Sequence, residues 1–81
     1  MTLYDFILAD EMEQAEAIWS GTHIGNREDD EHRILLYKID EFYVEVFYNK
    51  EHNFIRKFRP FNSLNQLLPY YGKINIPEFN N

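Results

Sequence analysis

The sequence contains no cysteine, and this absence excludes disulfides, thiolate metal sites and a cysteine nucleophile. A disulfide-free domain of this size fits a reducing compartment, so we expect a cytoplasmic protein. Residues 1–9 hold a few apolar side chains, but they include Asp5, have no basic region and are too short for a membrane span. We therefore expect no signal peptide and no membrane contact.

Motifs for catalysis and metal binding are also lacking. The chain has no Gly-rich phosphate loop and no Gly-x-Ser-x-Gly, and no serine or threonine has a recognisable base beside it. The three histidines (His23, His32 and His52) lack the spacing of a zinc site, and Asp29, Asp30 and Glu31 lack that of a calcium loop. We expect no enzyme activity, no cofactor and no bound metal.

The net charge of -6 is unevenly distributed. Residues 1–31 carry nine acidic and one basic side chain, whereas residues 32–61 carry four acidic and six basic ones. An acidic chain is repelled by nucleic acid and by anionic membranes, so we expect neither as a partner. The acidic half suggests instead an inhibitor or mimic that binds a basic protein, through Asp10, Glu11, Glu13, Glu16, Asp29, Asp30 and Glu31.

Aromatic residues are abundant, at 17% of the 81 residues. We expect one globular domain spanning residues 1–81. Seven Phe, six Tyr and one Trp are more rings than one small core readily hides. Several rings should therefore remain available to a partner.

A hairpin is the clearest structural signal, because residues 33–39 and 42–48 are strand-like and only Asp40 and Glu41 separate them. A two-residue loop fixes the register of the pairing. On one face Ile39 lies opposite Phe42, Tyr37 opposite Val44, Leu35 opposite Val46 and Arg33 opposite Tyr48. On the other face Lys38 lies opposite Tyr43, Leu36 opposite Glu45 and Ile34 opposite Phe47. The first face is apolar and should form the core.

A helix precedes this hairpin. Its apolar stripe consists of Leu8, Met12, Ala15, Ile18 and Trp19. Asp10 is the expected N-cap and Gly21 the expected stop, while residues 3–8 form either a separate turn or the start of the same helix. Residues 22–28 are predicted to form a short edge strand.

A fourth strand is predicted at residues 54–61, at an edge because Pro60 cannot donate to a ladder. Its expected register places Phe54 beneath Tyr48, Phe58 beneath Val44 and Arg56 opposite Val46. From there Arg56 should meet an acid of the first helix, namely Glu11, Glu13 or Glu16.

A last helical segment should begin at a cap formed by Asn62 or Ser63. Its apolar positions are Leu64, Leu67, Leu68 and Tyr71. Pro69 should end it near Leu68, with at most one more turn before Gly72. Residues 73–77 are expected to be extended, and residues 78–81 to fray.

The second face of the sheet holds the candidate site. The expected register puts Tyr43 beside Lys38 and Arg59, Glu45 between Leu36 and Lys57, and Phe47 between Ile34 and Ile55. Either these rows stabilise a sheet that lies under solvent or under the C-terminal segment, or they form a partner-binding surface. The candidate partner-binding residues are Lys38, Tyr43, Phe47, Lys57 and Arg59.

Several short runs of the chain resemble small bacterial proteins that have no known activity. The runs are residues 10–16 leading to Trp19 and Gly21, then 36–37, 42–46 and 55–61. The resemblance implies a small soluble bacterial protein and assigns no site residue.

These observations predict an α+β fold in which an N-terminal amphipathic helix packs on a four-stranded antiparallel meander, followed by a short C-terminal helical segment. We expect a protein-interaction module or homo-oligomer that binds through the aromatic and basic sheet face or the edge of the fourth strand. The acidic inhibitor or mimic is the alternative, and a small enzyme is the least favoured function.

Overall fold

The computed structural model describes residues 1–71 and confirms the α+β class. The elements in order are α1 (Leu3–Leu8), α2 (Glu11–Ser20), β1 (Thr22–Glu28), β2 (His32–Ile39), β3 (Phe42–Asn49), β4 (Ile55–Phe61) and a 3₁₀ helix (Leu64–Tyr70). The four strands form an antiparallel meander in the order β1-β2-β3-β4. The expectations for residues 73–77 and 78–81 lie outside the described residues.

Two capping boxes divide the N-terminal segment into two helices. The Thr2 hydroxyl accepts from the backbone N–H of Asp5, and the Asp5 carboxylate accepts from that of Thr2. Asp10 and Glu13 form the same reciprocal pair at the start of α2. Each box satisfies backbone donors that a helix start leaves free. Asp10 is confirmed as an N-cap, and the preceding segment is a separate helix.

Gly21 ends α2 where the chain passes close to β2. A Cβ atom at this position would lie 2.7 Å from the carbonyl oxygen of Lys38, which is a backbone atom that cannot move aside. The absence of a side chain therefore permits the approach of the helix end to the sheet.

The β2–β3 hairpin has the predicted register at every position. Asp40 takes a positive φ of 50° in the two-residue turn, which aspartate tolerates better than most residues. The predicted edge strand is confirmed as β1.

The register predicted for β4 is wrong by two residues along most of the strand, and by one residue at Tyr48, which lies opposite Ile55 rather than Phe54. Phe58 lies opposite Val46, the place assigned to Arg56, and Pro60 lies opposite Val44. The turn is longer than predicted: Asn49 donates its N–H to the carbonyl of Phe54, and the register shifts between Phe47 and Tyr48. Because the shift is two residues, Phe58 stays on the core face of the sheet, as expected.

The helices cover the sheet face that carries Ile39, Val44 and Val46, here called the helical face. Its buried core consists of Phe6, Ile18, Ile39, Phe42, Val44 and Val46. The Phe6 ring lies 5.6 Å from that of Phe42 and 6.5 Å from that of Phe58, between centroids.

The predicted helical stripe is largely wrong. In α2 only Ile18 is buried, while Leu8 and Met12 are 85% and 73% exposed. The break between the helices interrupts the periodicity that linked Leu8 to Met12, and Phe6 takes the inward position instead.

The 3₁₀ helix covers the opposite face of the sheet, which carries Leu36, Tyr43 and Glu45. This element was predicted as an α-helical segment with Leu64, Leu67, Leu68 and Tyr71 on one side. A 3₁₀ helix has three residues per turn, so Leu67 and Tyr70 lie on the same side of it, and both are buried. The side chains of Leu64, Leu68 and Tyr71 are exposed. Ser63 occupies the N-cap position without a side-chain hydrogen bond, and Pro69 lies inside the helix.

Phe6→Ala should lower the free energy of unfolding by about 3–5 kcal/mol, because the substitution leaves a cavity beneath α1. Leu8→Ala is the matched control in the same helix and should change it by less than about 0.5 kcal/mol, since Leu8 is exposed. Urea unfolding of both variants measures the difference. Equal effects would show that α1 does not anchor the helical face through Phe6.

Candidate functional site

A fully buried carboxylate, Glu45, lies at the centre of the opposite face. Arg27 donates from Nε to Oε2 at 2.8 Å, and Arg59 donates from Nε to Oε1 at 2.9 Å. The Tyr70 hydroxyl donates to Oε2 at 2.5 Å. Arg59 also donates to the side-chain oxygen of Gln66. This group of five residues is called the Glu45 network below.

Four elements contribute to the Glu45 network. Arg27 comes from β1, Glu45 from β3, Arg59 from β4, and Gln66 and Tyr70 from the 3₁₀ helix. Arg59 reaches the carboxylate because the observed register of β4 places it directly opposite Glu45. The network therefore ties both outer strands and the covering helix to the central strand.

Burial and hydrogen bonding act in opposite directions on the carboxylate. Burial by itself raises the pKa of Glu45, but hydrogen bonds from Arg27, Tyr70 and Arg59 outweigh it and hold this pKa below the ordinary value. Burial, and then the bond to Glu45, raise the pKa of Tyr70 well above its ordinary value. At neutral pH Glu45 is thus ionised and Tyr70 is protonated.

The structure places the five predicted site residues around this network. Tyr43 and Phe47 are buried, at 3% and 6% exposure. Tyr43 packs in one cluster with residues of the 3₁₀ helix, whereas Phe47 lies against Arg27 and Lys57. The Lys57 Nζ lies 4.6 Å from the centre of the Phe47 ring, and Lys38 lies 6.0 Å from that of Tyr43. Arg59 was expected beside Tyr43 and Lys57 beside Glu45, but Arg59 takes the Glu45 position instead.

Burial removes Tyr43 and Phe47 as rings that a partner can contact in this conformation. The alternative in which the C-terminal segment covers the face describes the structure better. Both oxygens of Glu45 already accept hydrogen bonds, and the carboxylate is sealed from solvent. We interpret the Glu45 network as a structural element that holds the layers together.

A groove of about 720 Å³ lies away from the Glu45 network, between β4 and the first half of α2. It is lined by Glu11, Met12, Gln14, Ala15, Ile55, Arg56, Lys57 and Phe58. The sequence did not identify it because Met12 and Ala15 were assigned to the core-facing stripe. Met12, Ala15, Ile55 and Phe58 supply the apolar part of its lining.

Arg56 lines this groove but does not form the predicted contact with an acid of α2. Glu11 lines the groove too, yet within residues 1–71 no ion pair joins Arg56 to Glu11, Glu13 or Glu16. In the observed register Phe58, not Arg56, lies opposite Val46. Arg56 is the second residue of β4, and its side chain is exposed.

Several acidic residues that suggested a mimic have local structural roles. Asp10 and Glu13 cap α2. Asp29 accepts hydrogen bonds from the backbone N–H groups of Glu31 and His32, which lowers the pKa of the Asp29 carboxyl and shapes the β1–β2 turn.

Within the described residues, no helix has the length and apolar character needed to cross a membrane. In the same 71 residues, no cluster of three or more His, Cys, Asp or Glu side chains is arranged to hold a metal ion. Comparison with protein-family models, curated proteins and solved structures finds no match to this chain.

Glu45→Gln should destabilise the fold, because it leaves two arginines without their carboxylate. Breaking a fully buried ion pair typically costs about 3–5 kcal/mol, and since both arginines reach solvent in part, we expect the lower part of that range. Urea unfolding at neutral pH measures the effect, with Glu41→Gln in the exposed hairpin turn as the control. A loss no larger than that of the control would contradict a structural role for the network.

The stability of the fold should decline at both ends of the pH range. The lowered pKa of Glu45 contributes stability that is present above its ordinary value of 4.5 and is lost as the pH falls through the folded value. The raised pKa of Tyr70 contributes stability that is present below its ordinary value of 10.0 and is lost as the pH rises through the folded value.

Urea unfolding across the pH range tests the expected losses of stability at acid and at alkaline pH. Tyr70→Phe should reduce the alkaline loss, with a remainder from Tyr48, whose pKa is also raised by burial. Glu45→Gln should reduce the acid loss, with a remainder from Asp5 and Asp29, whose pKa values are lowered. Slopes identical to those of the wild type would show that the network does not titrate as described.

Proposed function

We propose that this chain is a protein-interaction module that binds an extended peptide segment along the edge of β4 that lies away from β3. The observation that carries the proposal is the position of this edge beside the apolar groove. Within residues 1–71, β4 pairs only with β3, so in this part of the chain its other side presents backbone N–H and C=O groups that an added strand can use.

The groove supplies the side-chain contacts that strand addition needs. Backbone pairing gives affinity with little selectivity, whereas pockets for alternate side chains give specificity. Met12 and Ile55 are 73% and 39% exposed, and Phe58 lies on the helical face beside them. An apolar side chain of the bound segment would remove this surface from water.

The other edge of the sheet suits an added strand less well. β1 has a register irregularity between His23 and Gly25, and bulges twist an edge away from regular pairing. Its Arg27 is also held in the Glu45 network. In β4, Pro60 offers no N–H, so pairing should concentrate on Ile55–Arg59.

Both faces of the sheet are covered, which leaves its edges as the sites for a partner. The helices cover one face, and the 3₁₀ helix covers the other. This supports the edge-strand form of the interaction hypothesis over the form that uses the aromatic sheet face.

A selection from a displayed library of random peptides tests the proposal. We expect enriched peptides with alternating apolar residues, and bound peptide should slow hydrogen exchange at the amides of Ile55–Arg59. Met12→Glu should weaken binding at least about tenfold, because it places a charge in the apolar groove. Leu68→Glu is the matched control, since Leu68 is 65% exposed on the 3₁₀ helix at the opposite face.

Two results would overturn the proposal. One is a selection without enrichment against folded protein. The other is binding that Met12→Glu leaves intact, with exchange protection away from β4.

A further inference from the structure

We propose that the β4 edge selects extended segments that carry acidic side chains next to their apolar ones, an inference that rests on the proposed function. The charge of β4 is the starting observation. Residues 54–61 contain three basic and no acidic side chains, in a protein of net charge -6.

The three bases differ in how far the fold already uses them. Arg59 is committed to Glu45 and Gln66. Lys57 contacts the Phe47 ring but makes no ion pair with another described residue. Arg56 is exposed, lines the groove and likewise makes no ion pair within residues 1–71. Within residues 1–71, these two cations therefore have no carboxylate partner and can pair with carboxylates of an incoming strand.

The arrangement around the groove matches a strand with alternating character. Side chains of an added strand alternate between the two faces, as those of β4 do. On the helical face they would lie beside Phe58 and the groove, where apolar groups fit. On the opposite face they would lie beside Lys57, where an acidic group fits. Arg56 lines the groove, where it would pair with an acidic side chain of the bound strand next to the apolar ones.

A second copy of this chain is a poor occupant. Antiparallel pairing of two β4 edges centred on Arg56 and Lys57 would bring these residues of one copy beside those of the other, and like charges directly opposite are destabilising. Basic residues on an edge strand commonly prevent such pairing. The same charges that oppose self-pairing favour an acidic partner by complementarity.

The test uses the tightest peptide from the selection described above. It is synthesised in three forms in which the polar positions that alternate with its apolar residues are Glu, Gln or Lys. We expect the Glu form to bind about five- to twentyfold more tightly than the Gln form in fluorescence anisotropy, because two exposed ion pairs each contribute modestly. The preference should shrink as salt rises from about 50 to about 500 mM.

Charge reversal assigns the effect to β4. Lys57→Glu should abolish the preference for the Glu form and strengthen binding of the Lys form, because the alternating polar positions face Lys57. Arg33→Glu is the matched control, because Arg33 is an exposed arginine of β2 that does not line the groove. It should leave the order of the three peptides unchanged.

The outcomes separate this inference from the proposed function. Equal binding of all three peptides, still lost in Met12→Glu, would overturn the acidic preference and leave peptide binding in place. Absence of binding by any form would overturn both. A dimer in sedimentation measurements that Lys57→Glu alters would show that a second copy occupies the edge, and would overturn the inference.

Discussion

The buried carboxylate of Glu45 is the interaction on which the arrangement of layers depends. A charge on the central part of a sheet cannot be sealed from water unless partners neutralise it and satisfy its lone pairs. Arg27, Arg59 and Tyr70 do this from three different elements. Each must reach the same two oxygen atoms, so the outer strands and the 3₁₀ helix are positioned together. An apolar residue at position 45 would impose no such joint geometry.

The two faces of the sheet are stabilised by different chemistry. Apolar contacts dominate the helical face, where Phe6 and Ile18 pack on the strands. Ionic and cation–π contacts share the opposite face with buried rings. Because aromatic residues are buried on both faces of the sheet, their abundance does not indicate one exposed aromatic surface. Among residues 1–71, the edge of β4 is where apolar surface, backbone groups without a strand partner and exposed basic side chains coincide.

The sequence predicted those features that short-range rules determine. The two-residue loop fixed the β2–β3 register, and the Asp10 cap followed from its position before an acidic first turn. The β4 register could not be predicted because it depends on a longer turn with Asn53 at a positive φ. At the site, Arg59 was identified but its partner was not. Arg27 and Tyr70 were missed, although an acid on a strand rich in apolar residues signals that basic partners must come from elsewhere.

The sequence separations within the Glu45 network determine the order in which its members are synthesised. The carboxylate lies 18 residues after Arg27, 14 before Arg59 and 25 before Tyr70. A growing chain that has just exposed the β2–β3 hairpin can neutralise Glu45 through Arg27 alone. The second arginine arrives with β4, and the tyrosine arrives later still. Until Tyr70 has left the ribosome, Glu45 lacks its third hydrogen-bond donor, and the 3₁₀ helix cannot cover this face of the sheet.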